Sequence, residues 1–547
     1  MKCCENSNAE NNKDEYIKTT GKPTKMYRFL EMIPAILSWS VLLLPMIFAF
    51  YVPKYVAFFM AAFVFLWFFR TIEYIIFLLY SYFKFKKIEK KDFSLKLDLW
   101  DSASENLSKK YKEIRKYLEK KNDIIKTSDI KHIILIATCG EDIQVLRDTI
   151  NSVKNSDFNM NKVVVVLATE ARMQPESTII ADTLKAEYKH DFDGFYSFAH
   201  PSNIAGEVLG KGGNITFAGK EICNILEKKG EDIAMYLVTT LDADNRLDAE
   251  YLNVLTFHFA SSVDRQRSSY QPIPLFFNNI WDVPMINRMI AISGGFWHMV
   301  ESARPHRLHN FSSHAQPLLA LKEMNFWATH TIVEDGHQYW RSYFHFDGDY
   351  FVEPLFVPIY QDAVLHTSWK TTMVAQYKQI RRWAWGASDI PFVIDAWWEK
   401  RKKLPFIETL LHFLRLMEAH IFWATGALVI TMATPIPGIL NPSFAENGYD
   451  DGVAQMLSFF FSITSVGILV SIILSVITLP RPTKSVEFFG TNWSPLWRYF
   501  AIIVQWFIVP IMTVGFGAFP ALDAQTRLFM GKYLGFNVTK KVRATDS

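Results

Sequence analysis

Cysteine is scarce in this chain of 547 residues. The four that occur, Cys3, Cys4, Cys139 and Cys223, stand at no metal-ligand or disulfide spacing, which excludes a stapled scaffold or a zinc ribbon and fits a reducing compartment. Neither sign of charge dominates. A formal net charge of +3 is small for the length, so no nucleic-acid partner is expected. A secretory signal peptide is not expected either, because a polar leader of about thirty residues precedes the first apolar block and no small-residue cleavage site closes it.

What the chain has in excess is apolar surface. Half of it is hydrophobic, with 45 Phe and 16 Trp, more than one water-soluble core needs. The excess is gathered in blocks long enough to cross ~30 Å of hydrocarbon as helices, so an integral membrane protein is expected. After a leader at 1–30, residues 31–84 form an expected transmembrane hairpin around YVPKY. Lys13, Lys18, Lys22, Lys25 and Arg28 precede it and FKFKKIEKK follows it, which places both ends in the cytoplasm. Arg70 and Glu73, at i and i+3 within the second block, read either as the lining of a polar path or as a mutual buried ion pair.

Hydropathy gives three more candidate spans within 401–520, near 406–433, 454–479 and 499–519. An odd number would leave the tail at 521–547 outside. Its Arg527, Lys532, Lys540, Lys541 and Arg543 favour the cytoplasm instead, which makes one segment re-entrant or interfacial, and Pro510 makes the last one the suspect.

Residues 85–130 are charged and read as a helical connector. From 131 to 400 a soluble domain is expected. KHIILIA, KVVVVLA and IAMYLVTTL are continuous β-branched runs alternating with helical patterns, as in strands buried on both faces of a parallel sheet in a doubly wound α/β domain. Ligands bind outside the carboxyl ends of such strands. Here those ends read TCGED, TEAR and LDAD, so Thr138, Glu141, Glu170, Asp242 and Asp244 are expected to share one cleft.

Asp242 and Asp244 point to one side of an extended chain, and both can reach one hard cation. An EF-hand is excluded, because its fifth, sixth and twelfth positions would be Arg246, Leu247 and Asn253. So few protein ligands leave room for water and a bound phosphate, which describes Mg²⁺ or Mn²⁺ holding a nucleotide diphosphate. EVLGKGGNITFAGK is not a Walker A loop. It opens a helix with two glycines, where the backbone can approach a ligand and Lys211 can meet an anion. Downstream, HTIVEDGHQYW carries Glu334 and Asp335, which taken alone read equally as a helix N-cap. YKQIRRWAWG puts Gln379, Arg382 and Trp383 on one helix face, which alone reads as an interfacial helix. Residues 268–314 are aromatic but interrupted by Pro, Asn and Gly, and read as an interfacial or acceptor-lining element. Its His306, His309 and His314 read as solvated or acceptor-facing rather than as a metal site.

The order LDAD, VED, QIRRW, flanked by apolar helices, resembles the membrane-integrated family 2 glycosyltransferases, which include cellulose, hyaluronan and related β-glycan synthases. The resemblance implies a GT-A-like (Rossmann-like) α/β catalytic domain in the cytoplasm, flanked by transmembrane helices. It also implies an inverting transfer from a nucleotide-diphosphate sugar to a saccharide acceptor. Asp242 and Asp244 match the family's metal and diphosphate motif, and Asp335, beside Glu334, matches its catalytic base. Gln379, Arg382 and Trp383 match the Q-x-x-R-W acceptor and diphosphate motif, and KGGN from Lys211 is similar to the donor loop. Thr138, Glu141 and Glu170 sit where relatives bind the nucleoside. FNVTKK resembles the F-x-V-T-x-K gating loop at Phe536, Val538, Thr539 and Lys541. Val333 replaces a common Thr, and TCGED replaces the usual Pro-x-Tyr-Asn-Glu opening. Membrane lipid is implied as a partner, and a lipid acceptor, ceramide-like or polyprenyl-phosphate, is the alternative within the class. A transporter gives the α/β cleft no role, and an inert scaffold or sugar-sensing receptor would tolerate loss of Asp335 or Trp383, both present.

Overall fold

The computed structural model describes residues 24–433, 435–482, 486–488 and 491–535. At its centre lies an eight-stranded sheet in the order β3-β2-β1-β4-β7-β6-β8-β5. The strands are β1 (Lys131–Ala137), β2 (Val163–Glu170), β3 (Gly194–His200), β4 (Tyr236–Asp242), β5 (Arg246–Leu247), β6 (Ser268–Leu275), β7 (Ala315–Pro317) and β8 (Phe351–Tyr360).

β1 lies between β2 and β4, all parallel, with Ile133 opposite Val164 on one side and Val238 on the other. Alternate residues of each strand bury against opposite layers, as the period of two requires. Ile134, Ile136, Val165 and Leu167 pack with Leu146, Ile150 and Leu184, whereas Ile133, Leu135, Val164 and Val166 pack with Ile215, Ala218 and Ile222 from the Lys211–Lys228 helix. Burial on both faces is why these strands read as unbroken apolar runs.

The three strands read from the sequence are parallel to one another, and the rest of the sheet is mixed. β7 runs antiparallel to both β4 and β6, and β5 runs antiparallel to β8. β7 has only three residues, too short for any periodicity to mark it. β6, at the start of the 268–314 segment read as an interfacial or acceptor-lining element, has all eight of its residues buried in the sheet. The 85–130 segment is more than a connector. Its helices Phe93–Asp101 and Lys109–Lys120 bring Phe93, Trp100 and Leu118 into the domain core.

Among the described residues, five helical stretches are long and apolar enough to cross a membrane. The first two, Lys25–Tyr51 and Pro53–Glu89, meet at Val52. The Phe406–Ala433 helix leaves the α/β domain beside Tyr343, whose hydroxyl lies 2.9 Å from Thr409 Oγ1. At its far end Asn441 Nδ2 donates to the Ala49 carbonyl at 2.7 Å, marking the turn of the first hairpin. The Tyr449–Thr478 helix returns along Pro53–Glu89, with Phe459 stacked on Phe68 and Phe460 against Trp67. It arrives back at Trp281, whose indole donates to the Pro480 carbonyl at 3.0 Å.

The fifth stretch, Trp497–Phe529, differs from the other four. It is broken by a 3₁₀ turn at Trp506–Ile508 and a π turn at Thr513–Ala518, and Pro510 and Pro520, just beyond them, bring no N–H to the helical hydrogen bonds. Both of its ends lie on the side of the α/β domain. Arg498 donates to the Trp281 carbonyl at 2.6 Å, and Asp523 accepts from Arg381 at 2.9 Å. Arg28, at the start of the first helix, caps the Leu528 carbonyl at 2.8 Å, so the beginning and end of the described chain share that side.

Arg70 and Glu73 do not pair with each other. Arg70 meets Glu418 of the Phe406–Ala433 helix, and Glu73 accepts from Arg304 at 3.1 Å. The two charges tie the second helix to separate neighbours.

Candidate functional site

The parallel strands end side by side. In register, Ala137 is opposite both Ala168 and Asp242, and Glu170 is opposite His200. The polar residues that follow therefore line one edge, as expected for this architecture.

At the middle of that edge Asp242 closes β4, and its Oδ1 lies 2.7 Å from Lys211 Nζ. Lys211 opens the Lys211–Lys228 helix, and the two glycines after it are closely packed. A Cβ on Gly212 would stand 2.2 Å from the Ala328 carbonyl, and one on Gly213 would stand 2.8 Å from the Glu207 carboxylate. Asn214 then donates to the Ala168 carbonyl at 2.9 Å, fastening the helix to the end of β2. Burial opposes charge on Lys211, but Asp242, Glu334 and Asp335 outweigh it and hold its pKa above the ordinary value.

Asp244 is almost fully buried, and its Oδ2 accepts from the Asp362 backbone N–H at 2.9 Å. Asp335 begins the Glu334–His345 helix. Its Oδ1 accepts from Gly336 N at 2.8 Å, and its Oδ2 accepts from Ser312 N at 2.6 Å. Glu334 beside it is buried, and burial, followed by the Asp335 charge, pushes its pKa up to about 7. Arg382 acts on Glu334 in the opposite sense, which puts the guanidinium within charge range of the same cleft. Gln379 accepts from Gln376 Nε2 at 3.1 Å, and Gln376 in turn accepts from Asn287 at 2.9 Å. Trp383 packs its ring 5.9 Å from that of Phe276.

Motif reading missed the residue that joins the two acidic motifs. Ser312 donates its N–H to Asp335 and its hydroxyl to Asp242 Oδ2 at 3.4 Å, while its own Oγ accepts from Gln361 Nε2 at 2.7 Å. Its φ of 50° lies in the left-handed region that a non-glycine residue seldom adopts. No local sequence signal marks such a serine.

At the other end of the edge, Glu141 is not open to a ligand on all sides. Its Oε2 accepts from Thr138 Oγ1 at 2.7 Å and Cys139 N at 2.6 Å, so it shapes the turn after β1. Glu170 lies 3.5 Å from both Arg172 Nε and His200 Nδ1. The other ring nitrogen of His200 lies 2.8 Å from Glu207, so the imidazole bridges two carboxylates. Those partners, Glu170 first, raise its pKa to about 9 against the effect of burial.

The sign of the linkage is set by that rise. Protonated His200 contributes stability fully below its unfolded value of about 6.5, and the contribution is lost as pH rises through about 9. Thermal unfolding of the detergent-solubilised protein is expected to weaken across that interval, and His200→Gln to flatten the dependence. An unchanged slope would remove the bridge from the account.

The three histidines are dispersed rather than solvated together. His309 stacks on Tyr339 at 4.1 Å, and His314 is buried near Asp335, where burial lowers its pKa to about 4. His306 is the one that lines an open groove. Among the described residues no three His, Cys, Asp or Glu side chains are grouped to hold a metal. Phe536, Val538, Thr539 and Lys541 lie outside the described residues.

No protein-family model matches the sequence, and no curated protein matches it. Among solved structures, the chain is similar to the mannosyltransferase PcManGT from Pyrobaculum calidifontis, in complex with GDP-Man and Mn²⁺. The identity is 14% and the TM-score 0.38, over 75% of this chain and 99% of the other. It is also similar to S. aureus TarS 1–349 in complex with UDP-GlcNAc, at 13% identity and a TM-score of 0.33, over 66% of this chain and 96% of the other. Likenesses this distant leave the activity to be argued from the residues of the cleft.

Proposed function

We propose that the protein is a membrane-integrated, inverting glycosyltransferase. It moves a sugar from a nucleotide-diphosphate donor to a saccharide acceptor at the cytoplasmic face. The observation that carries this reading is the joining of Asp242 and Asp335 through Ser312, with Lys211 paired to Asp242 in the same cleft. A diphosphate-binding carboxylate and a base carboxylate then face one small volume, which is what a single displacement at an anomeric carbon requires.

Asp242 and Asp244 are two oxygen donors on one strand end, a set that suits Mg²⁺ or Mn²⁺ completed by diphosphate and water. When bound, such an ion supplies charge stabilisation for the departing diphosphate. Lys211 and Arg382 add fixed positive charge on the same side of the cleft. Asp335, held by two backbone N–H groups, takes the proton of the acceptor hydroxyl as its oxygen attacks. Burial first, and then the Asp335 charge, raise the pKa of Glu334, so that the neighbouring carboxyl group is the one disfavoured as an anion. Gln379 spends its carbonyl on Gln376, which leaves its amide N–H groups to donate to the acceptor, while Trp383 backed by Phe276 offers a stacking face.

Four of the five apolar helices cross the membrane in this reading, and Trp497–Phe529 lies within the interface on the α/β side. Lys84, Lys86 and Lys87 at the end of the second helix, Lys90 and Lys91 just after it, and Lys400 to Lys403 before the third favour the cytoplasm for that side. The test is to incubate membranes containing the protein with a panel of labelled nucleotide sugars and Mg²⁺ or Mn²⁺, and to size the products. A ladder is expected. A single lipid-soluble product would move the assignment to lipid glycosylation, and turnover of no donor would overturn it.

A further inference from the structure

A groove of about 710 Å³ lies away from the catalytic cleft, between the α/β domain and the first turns of the Phe406–Ala433 helix. Its walls include Phe351, His306, Phe406, Leu411, His412 and Arg415. Two chemically different zones meet there. Toward the outside, Phe406, Ile407, Leu411 and Leu414 are exposed apolar side chains on a helix that is about to leave the domain, with Phe406 and Ile407 60% and 72% exposed.

Toward the floor the groove carries one guanidinium, that of Arg415, which donates to the His306 carbonyl at 2.8 Å. Burial first, and then Arg415 and Arg307, hold the His306 imidazole below its ordinary pKa. Glu408, the one carboxylate among the lining residues, stands at the rim with its side chain 59% exposed.

The approach to the groove is cationic too. Arg401, Lys402 and Lys403 are exposed immediately before the helix. Arg401 lies over the ring of Trp398, itself 68% exposed. A short basic run between exposed tryptophan and exposed aliphatic side chains, at the point where a helix enters hydrocarbon, is the pattern that binds acidic headgroups.

We infer that this groove, with the Arg401–Lys403 run beside it, binds an anionic phospholipid of the cytoplasmic leaflet. The phosphate would lie toward Arg415 and the acyl chains along Phe406, Ile407 and Leu411. The inference rests on the membrane reading above, and not on the identity of the sugar or on turnover. A soluble anion would satisfy the floor but leave the apolar rim uncovered, and a zwitterionic lipid would cover the rim but leave the basic run without a partner. An anionic lipid satisfies both.

The test uses the full chain, delipidated in neutral detergent, with labelled phosphatidylglycerol and phosphatidylcholine as probes. Phosphatidylglycerol is expected to be retained about tenfold more tightly or better. Arg415→Gln, and separately the triple exchange Arg401→Gln, Lys402→Gln and Lys403→Gln, should each weaken it about tenfold while leaving phosphatidylcholine unchanged. The surface triple exchange guards against a folding defect at Arg415. Equal retention of the two lipids, or no response to either variant, overturns the assignment. Equal competition by inorganic phosphate overturns it in favour of a free-phosphate site. Alkaline carbonate extraction separates the two levels. Release of the protein from membranes would sink the membrane reading itself, whereas a protein that stays in membranes and shows no lipid preference loses only this site.

Discussion

Asp335→Asn is expected to lower kcat by about 10²- to 10⁴-fold, the contribution typical of a general base, with donor affinity close to that of the wild type. The structure makes the exchange unusually informative. Both carboxylate oxygens of Asp335 accept backbone N–H bonds, from Gly336 and Ser312, at the N-terminus of a helix that favours negative charge. An amide can keep one of these bonds but must turn its NH₂ toward the other donor. A small loss of stability therefore accompanies the change, below the about 1–3 kcal/mol that a fully buried unsatisfied group costs, because Asp335, Ser312 and Gly336 are only half-buried. Donor titration and a melting curve on the same preparation separate the two effects. Near-wild-type turnover in a folded Asp335→Asn protein would remove Asp335 from the role of base. Loss of both turnover and donor binding would make Asp335 a structural residue instead.

Lys211→Met is the second large effect, with an expected fall of about 10²- to 10³-fold in kcat/KM, as for the removal of one preorganised charge partner. Lys211 is the common counter-charge for Asp242, Glu334 and Asp335. Its removal leaves Asp242 without the 2.7 Å partner and takes away a charge that lowers the pKa of Glu334. The Glu334 pKa should therefore rise further, and an acidic limb governed by Glu334 should move to higher pH. A pH–rate profile that falls in height without moving would show Lys211 to act on the donor alone. Full activity would remove it from the site.

Much of this cleft was legible before any fold was known, and the reason is local. Asp242, Asp335 and the Gln379–Arg382–Trp383 face each sit at a strand end or a helix turn whose geometry follows from a few neighbouring residues. Unbroken runs such as VVVVLA mark central strands because both faces are buried. β7, with three residues, and β3, where polar and aromatic residues mix in GFYSFAH, carry no such pattern. The Lys211 loop was legible as a glycine-opened helix, but the close approach of the Ala328 carbonyl to Gly212, from more than a hundred residues away, was not.

The sequence alone determined that the protein carries helices apolar enough for a membrane, an α/β domain between them, and acidic residues at the ends of its strands. These follow from composition and periodicity, which act over a few residues. Tertiary structure decided that Ser312 ties Asp242 to Asp335, that His200 bridges Glu170 and Glu207, and that Arg70 and Glu73 turn to Glu418 and Arg304. It also brought both ends of Trp497–Phe529 back to the α/β side. Each of these depends on which distant segments become neighbours when the apolar surface is buried, and burial is a property of the whole chain.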